Sequence, residues 1–188
     1  MKKTLLLMVF VAIGMTANAQ EFKPFKVGLG FGYAIPSDGG GGIAIYLEPG
    51  YRITDAILLN LRIESAAMAK VVGTQEAKVA ASASYTVNGQ YYFNNNDFRP
   101  FAGLGLGLFA NANVEVSGQA GSASAGTVIG FYPRLGFDYK HFNFIFDYNL
   151  IPATDEVEVN GSTVELTENI KNSYMSIKIG VSIGGGRN

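Results

Sequence analysis

The sequence has no cysteine, no tryptophan, a single histidine and few charged residues. The absence of cysteine excludes disulfides, thiolate metal sites and a lipidated N-terminal cysteine. Charged side chains account for 15 % of the 188 residues, whereas about a quarter is usual in soluble domains. The formal net charge of −1 provides no basic surface for nucleic acid. Because 48 % of the residues are hydrophobic and 12 % are aromatic, the chain is too apolar to be disordered.

The first nineteen residues have the features of a secretory signal. Lys2 and Lys3 precede an apolar run at residues 5–13, and the small residues Ala17 and Ala19 form a cleavage site before Gln20. We therefore predict a signal peptide at residues 1–19, cleaved after Ala19, and one domain at residues 20–188. Loss of the two lysines leaves 12 basic and 15 acidic residues, a net charge of −3. A retained N-terminal membrane anchor is the alternative.

Eight later segments alternate apolar residues with polar or small ones, which is the period of a strand with two different faces. They cover residues 25–35, 43–53, 57–67, 83–93, 101–109, 129–139, 142–150 and 174–183. After the signal, no segment of the sequence has the roughly 18 consecutive apolar residues that a transmembrane helix needs. The sequence therefore predicts strands, each with one strongly apolar side.

The connections between these segments alternate in length. Those after the second, fourth and sixth segments are short, at residues 54–56, 94–99 and 140–141. Those after the first, third, fifth and seventh are longer, at residues 36–42, 68–81, 111–126 and 153–172. Such a layout is typical of barrels in the outer membrane, where short turns face the periplasm and long loops face outside. We predict an all-β, eight-stranded antiparallel up-and-down transmembrane β-barrel with short periplasmic turns and longer extracellular loops.

Charged residues within the strands occur only on the less apolar face. The nine are Lys26, Glu48, Arg52, Arg62, Glu64, Arg134, Asp138, Asp147 and Lys178. A soluble exterior is about 25–35 % charged, so this sparse face disfavours the alternative of a secreted, lipocalin-type barrel. Eight strands leave an interior just wide enough for side chains. Because five basic and four acidic groups nearly balance, we predict a lumen plugged by ion pairs rather than an open pore.

Aromatic residues and two prolines refine the prediction for the apolar face. Eight aromatic residues lie near the short turns, where a membrane–water interface favours them: Phe25, Tyr51, Tyr91, Phe93, Phe137, Tyr139, Phe142 and Phe144. Pro49 and Pro133 also fall on this face, in the middle of strands. Since proline has no N–H to donate to a ladder, we expect a bulge or a local break at each.

Three segments carry a resemblance to a known family: residues 26–33 (KVGLGFGY), 99–107 (RPFAGLGLG) and 173–183 (SYMSIKIGVSI). With this pattern the chain resembles the small outer-membrane β-barrel proteins of Gram-negative bacteria, the OmpX- and OmpA-like eight-stranded barrels, over residues 22–184. We predict an outer-membrane location, reached through the periplasm, and a monomer. The predicted partners are outer-membrane lipids, the barrel assembly machinery and an extracellular protein or surface ligand, and no nucleic acid is expected.

The sequence offers no candidate for catalysis, a cofactor or a metal centre. The glycines at 28, 30 and 32, and at 103, 105 and 107, repeat every two residues within strands and open no helix, so they are not a nucleotide-binding loop. Lipid-modifying barrels use a histidine with a serine near the outer leaflet. Here the single histidine, His141, falls in a predicted periplasmic turn, so we predict a protein that is not an enzyme.

The loops predicted to be extracellular are the remaining candidates for function. Asn160-Gly161 between alternating runs predicts a hairpin over residues 157–166, and residues 114–116 suggest a second extension. Five acidic residues form a possible interaction site: Asp155, Glu156, Glu158, Glu165 and Glu168. These five residues are compatible with divalent cations or with a solvated hairpin, and the edges of the extended strands are compatible with β-augmentation by a partner. We predict a structural or surface-interaction role; a small porin-like channel and a lipid-modifying enzyme are the second and third alternatives.

Overall fold

The computed structural model describes residues 21–187, except 73–74, 113, 116–121, 125 and 160–161. The predicted signal peptide at residues 1–19 lies outside the described residues, and its cleavage after Ala19 stays a prediction. Within the described part of the chain, no helix is long and apolar enough to cross a membrane.

Twelve strands are present in the described residues, and eight of them close into a barrel. The strands are β1 (Phe25–Pro36), β2 (Gly40–Arg52), β3 (Ile57–Val72), β4 (Gln75–Tyr92), β5 (Phe98–Ala112), β6 (Val114–Glu115), β7 (Ser122–Ser124), β8 (Thr127–Tyr139), β9 (Phe142–Asn149), β10 (Thr154–Val159), β11 (Ser162–Ile170) and β12 (Tyr174–Gly184). The barrel order is β1-β12-β9-β8-β5-β4-β3-β2, and all of its pairings are antiparallel. The eight-stranded antiparallel barrel is confirmed.

The alternating pattern places the apolar face of each barrel strand outward. Leu104, Ile129 and Phe142 are between 65 % and 67 % exposed, whereas the polar side chains of Arg62 and Lys178 are inaccessible. This distribution is the reverse of that in a soluble protein, where large apolar side chains form the interior. The exposed apolar side chains on the outside of the barrel therefore require an apolar environment.

The two ends of the barrel differ. We call the end that carries residues 53–56, 93–97 and 140–141, together with the described segments 21–24 and 185–187, the turn end. At the opposite end, the sheet end, β6, β7, β10 and β11 form a separate sheet in the order β11-β10-β7-β6. The predicted hairpin is present there, since β10 pairs with β11 and Val157 lies opposite Val164. Its turn at residues 160–161 lies outside the described residues. The second extension is also present, as β6 paired with β7.

Two of the predicted long connections are shorter than expected. Only residues 37–39 separate β1 from β2, and only residues 73–74 separate β3 from β4. The prediction of loops at residues 36–42 and 68–81 was therefore wrong, because the strands continue as paired ladders through most of these ranges. Alanine and glycine dominate there, so the apolar alternation fades although backbone pairing does not depend on large side chains.

Both prolines interrupt a ladder without adding a residue. Leu47 pairs with Ile63 and Gly50 with Asn60 across β2 and β3, so the ladder lapses at Pro49 while the register is kept. Between β8 and β9 the continuous pairing ends at Arg134, and beyond Pro133 only an isolated bridge pairs Phe131 with Leu150. The expected local break in pairing is thus present at Pro49 and at Pro133, and neither strand contains a bulge there.

The eight aromatic residues predicted to form a belt lie near the turn end on the outer surface. Seven of them are exposed, and Phe137 is half-buried between two neighbouring rings. Its ring centroid lies 4.9 Å from that of Phe98 and 5.5 Å from that of Phe144. The rings therefore form a contiguous aromatic surface across β5, β8 and β9.

Strand β1 provides a matched pair of glycines for testing how closely the strands pack at the closure with β12. A methyl group at Gly32 would overlap the carbonyl oxygen of Ile177 and lie 2.8 Å from Lys178 Cα, whereas at Gly28 it would meet Glu48 Cβ at 3.8 Å. We expect Gly32→Ala to lower the free energy of unfolding by about 1–3 kcal/mol, because backbone atoms have to shift.

The measurement is the urea midpoint of the refolded protein, read from gel mobility of the folded form. Gly28→Ala is the control and should lie within about 0.5 kcal/mol of the wild type. Equal midpoints for the two variants would contradict close packing at the closure.

Candidate functional site

Asp147 of β9 is the centre of an ion-pair network inside the barrel. Its carboxylate accepts a hydrogen bond from Arg62 Nη1 of β3 at 2.8 Å and lies 3.2 Å from Arg134 Nε of β8. Lys178 of β12 forms a third ion pair with the same carboxylate. β3 lies on the opposite side of the barrel from β9. The Arg62–Asp147 pair therefore spans the lumen.

Glu64 extends this network toward the sheet end. Its Oε2 accepts from Lys178 Nζ at 2.5 Å and lies 3.5 Å from Arg62 Nη1. Its second oxygen accepts a hydrogen bond from the Tyr174 hydroxyl at 2.6 Å. The guanidinium of Arg62 also lies 3.7 Å above the ring of Tyr132. Each charged group thus has a partner of opposite charge or an aromatic face, which is the condition for burying charge.

Arg134 connects the network to the opposite wall in the direction of the turn end. Its Nη1 lies 3.0 Å from Glu48 Oε1 of β2 and donates to Asn88 Oδ1 at 2.9 Å. Asn60 Nδ2 donates to the same oxygen at 3.2 Å. Three cations, Arg62, Arg134 and Lys178, therefore face the three carboxylates Glu48, Glu64 and Asp147, and their formal charges balance.

A second group of charges lies nearer the turn end. Lys26 and Asp138 form an ion pair, and Tyr92 OH donates to Asp138 at 2.8 Å while accepting from Lys26 Nζ at 3.1 Å. A cavity of about 10 Å³ lies on the lumen side of this pair and one of about 250 Å³ lies toward the turn end. The pair lines both cavities and so separates them.

Arg52 and a tenth charged residue, Arg99, lie at the turn end around the N-terminal Phe22. Arg52 Nη1 donates to the carbonyl oxygen of Asp55 at 3.0 Å. The guanidinium of Arg99 lies 3.8 Å from the ring centroid of Phe22 and 4.3 Å from that of Tyr92. Arg99 was not among the predicted lumen residues, because residues 94–99 were predicted to form a turn. It lies two residues before the inward-facing Phe101, and this spacing would have placed it on the same face of the strand.

The sheet end of the lumen is closed by an apolar cluster that the sequence analysis did not predict. Its buried members are Ala34, Ala44, Ala66, Met68, Phe109, Tyr132, Ile151 and Tyr174. A second cluster lies nearer the turn end and contains Tyr46, Leu58, Tyr92, Phe101 and Ile145. The interior is therefore layered, with ion pairs between two groups of apolar and aromatic side chains.

The structure places all nine predicted lumen charges inside the barrel, each 8 % exposed or less. It also places the predicted acidic loop site on one hairpin, with Asp155, Glu156 and Glu158 in β10 and Glu165 and Glu168 in β11. Along the backbone, Glu156 lies opposite Glu165. Those loop side chains are outside the part of the structure that is described in detail. Elsewhere in the described residues, no group of three or more histidine, cysteine, aspartate or glutamate side chains is placed to hold a metal ion.

His141 lies in the two-residue turn between β8 and β9, at the turn end. Its Nδ1 is 3.2 Å from the backbone carbonyl oxygen of Ser182. The Ser182 hydroxyl instead accepts a hydrogen bond from Asn143 Nδ2 at 3.1 Å. A serine nucleophile needs a hydrogen bond between its hydroxyl and the histidine that acts as base. His141 instead contacts the backbone of Ser182, so the two residues do not form a catalytic Ser–His pair.

A family model for the outer membrane protein beta-barrel domain matches residues 4–184 of the chain. The chain belongs to this family. Its outward apolar face is therefore the face that meets membrane lipid, and the protein is an outer-membrane β-barrel.

Two solved structures of outer-membrane barrels share the fold. The crystal structure of the outer membrane protein OprG from Pseudomonas aeruginosa aligns with a TM-score of 0.62 and 18 % identity, over 88 % of this chain and 99 % of that one. The crystal structure of Neisserial surface protein A (NspA) aligns with a TM-score of 0.54 and 20 % identity, over 85 % and 95 %. A search of the curated proteins found no significant match. At these identities the structural likeness concerns the fold alone.

Asp147→Asn tests how far the barrel depends on its central carboxylate. The amide keeps the shape of the side chain but leaves three buried cations without their shared counter-charge. We expect the free energy of unfolding to fall by about 3–5 kcal/mol, the usual cost of breaking a buried ion pair. The measurement is urea unfolding of the refolded barrel, followed by gel mobility of the folded form.

Asp97→Asn is the matched control, because the same chemical change is made at an exposed residue of the turn end. It should change the free energy of unfolding by less than about 0.5 kcal/mol. A stability loss at Asp147 no larger than that at Asp97 would show that the network does not support the barrel.

Proposed function

We propose that this outer-membrane barrel is closed to ions, is not an enzyme, and acts as a membrane-anchored support for an extracellular sheet. The observation that carries the proposal is the filling of the lumen. The three balanced cation–carboxylate pairs span it, and apolar clusters lie on either side of them. An ion would have to separate buried ion pairs in order to pass, and leaving such charges unpaired is costly.

The same filling favours a closed barrel over the porin-like alternative. The cavity of about 10 Å³ beside the Lys26–Asp138 pair is near the minimum that one water molecule needs. It is bounded by Glu48, Asn60 and Gln90, whose polar groups suit a bound water. It does not amount to an aqueous channel, which is found in much wider barrels.

The orientation and export of the protein follow the usual arrangement of such barrels. Short turns and both termini belong in the periplasm, and the sheet end belongs outside the cell. The aromatic belt near the turn end then lies at the periplasmic membrane interface. The predicted signal peptide would direct export and be cleaved after Ala19. These assignments are supported by the sequence pattern and by the family of the chain.

Strand β11 has a neighbour on only one side among the described strands, and we assign its other edge to a partner protein. Strand β11 is nine residues long and forms one edge of the extracellular sheet, whereas the other edge, β6, has two residues. An unpaired edge offers backbone N–H and C=O groups to an extended peptide. Five acidic residues on β10 and β11 favour a basic partner. A second copy of the chain would bring like charges together, so we expect a monomer.

Conductance across a planar bilayer tests the closed lumen. The refolded wild-type protein should give no steady conducting steps in potassium chloride, because balanced ion pairs and two apolar clusters cross the lumen. Folding is checked on the same sample by its heat-dependent gel mobility, and a boiled sample serves as the control for membrane leakage. Reproducible steps of uniform size from the folded sample would contradict the proposal and favour the porin-like alternative.

Peptide binding tests the role of the extracellular edge. We expect an octapeptide of alternating lysine and valine to bind the refolded barrel, because it is extended and basic, whereas the corresponding glutamate–valine peptide should not. In a variant with residues 154–170 replaced by a short Gly-Ser turn, binding should be lost while the barrel stays folded. Equal binding to that variant would contradict an edge at β11. The readout is fluorescence anisotropy of the labelled peptide at low salt.

A further inference from the structure

The cavity of about 250 Å³ at the turn end has a cationic wall. Four of its lining side chains are basic, namely Lys26, Arg99, Lys140 and Arg187, and they come from four different segments of the chain. Asp97, Asp138 and His141 also line it. With His141 counted as neutral, the formal charge of the wall is +2, whereas the charges of the central network cancel.

Two of these cations already have a counter-charge and two do not. Lys26 pairs with Asp138, and Arg187 Nε lies 2.9 Å from a carboxylate oxygen of Glu21. Arg99 and Lys140 form no ion pair with any carboxylate among residues 21–187 that the structure describes. The excess positive charge of the cavity therefore lies on these two side chains.

Arg99 is held in place by contacts that leave part of its guanidinium unused. The residue is 4 % exposed, and its planar group lies between the rings of Phe22 and Tyr92. Its Nε donates to the carbonyl oxygen of Asn94 at 3.2 Å and its Nη2 to that of Asp55 at 2.7 Å. Its Nη1 has no hydrogen-bond acceptor within the described part of the chain. A fixed, buried cation with unused N–H groups is a strong donor for an oxyanion.

Lys140 occupies a backbone position that does not favour lysine. Its φ is 54°, and among the described residues it is the only one other than glycine with a positive φ. It lies in a two-residue hairpin turn with His141, where asparagine or glycine is preferred because of this conformation. Its Nζ lies 5.7 Å from the ring centroid of Tyr139, an exposed ring that supplies no counter-charge. Lys140 therefore lines the cavity as a cation without a carboxylate partner among the described residues.

We propose that the turn-end cavity binds the carboxylate or phosphate group of a small anionic molecule. Arg99 Nη1 and Lys140 Nζ are the donors, Phe22 forms the apolar wall for the rest of the ligand, and Gly184, Gly185 and Gly186 line the cavity with backbone. With the orientation proposed above, this molecule comes from the periplasm. The site is separated from the lumen by the Lys26–Asp138 pair, so its occupation does not require an open barrel.

Titration followed by NMR tests this site. The probes are inorganic phosphate and N-acetylglycine, added to the ¹⁵N-labelled refolded protein in detergent micelles at constant ionic strength. We expect saturable shifts of the backbone amides of Gly184, Gly185 and Gly186 with at least one probe. The probe that binds more tightly distinguishes a phosphate ligand from a carboxylate ligand. Sodium chloride should cause no saturable shift.

Three variants distinguish a built site from general attraction to a basic surface. Arg99→Gln should weaken binding about tenfold or more, because it removes a charged hydrogen-bond donor. Lys140→Asn should weaken it about threefold without harming the fold, since asparagine suits the positive φ. Lys23→Asn is the matched control: Lys23 is exposed beside Gly186 but does not line the cavity, so affinity should not change.

The proposal is overturned if neither probe gives a saturable shift, or if chloride reproduces the shifts. It is also overturned if Lys140→Asn binds as tightly as the wild type, or if Lys23→Asn weakens binding as much as Lys140→Asn does. Because Lys140→Asn keeps the fold, this comparison decides the matter even if Arg99→Gln does not refold. None of these results depends on the extracellular sheet, so they are separate from the tests of the proposed function.

Discussion

Burial of the Asp147 carboxylate in a narrow lumen is the constraint on which the rest of the structure depends. A carboxylate removed from water is stable only where cations and hydrogen-bond donors surround it. Here the cations come from β3, β8 and β12, which include both neighbours of β9 and the strand opposite it. A shift of any of these strands by one residue would turn its cation toward lipid. The central ion pairs and the register of the barrel therefore specify each other.

Glycine provides the room that this interior requires. Gly103 lies opposite Arg134 and Gly105 opposite Tyr132 in the β5–β8 ladder, and Gly32 lies opposite Lys178 across β1 and β12. Each of these three inward side chains thus has a glycine beside it on the neighbouring strand. An alanine at Gly32, Gly103 or Gly105 would overlap its neighbours. These glycines are therefore the complement of large arginine, lysine and tyrosine side chains and not a separate motif.

The positions and faces of all eight barrel strands could be predicted, because a period of two is a local property of the sequence. Which charged residues pair with each other inside the lumen could not be predicted. Arg62 and Asp147 are 85 residues apart, and Lys26 and Asp138 are 112 apart, so only the closed barrel brings them together. Arg99 was missed because turn residues precede it. The lengths of β3 and β4 were underestimated because alanine gives little alternation in hydrophobicity.

The layered interior also makes the two ends of the molecule chemically independent. At the sheet end, Phe109, Met68 and Ile151 close the lumen with apolar surface, so a ligand there meets only the separate sheet of β6, β7, β10 and β11. At the turn end, the Lys26–Asp138 pair closes the floor of the larger cavity, so a ligand there meets only Arg99, Lys140 and their neighbours. Coupling between distant sites requires an element with two arrangements that both sites bias. A network of balanced buried pairs has one strongly favoured arrangement, so binding at one end should leave the other unchanged.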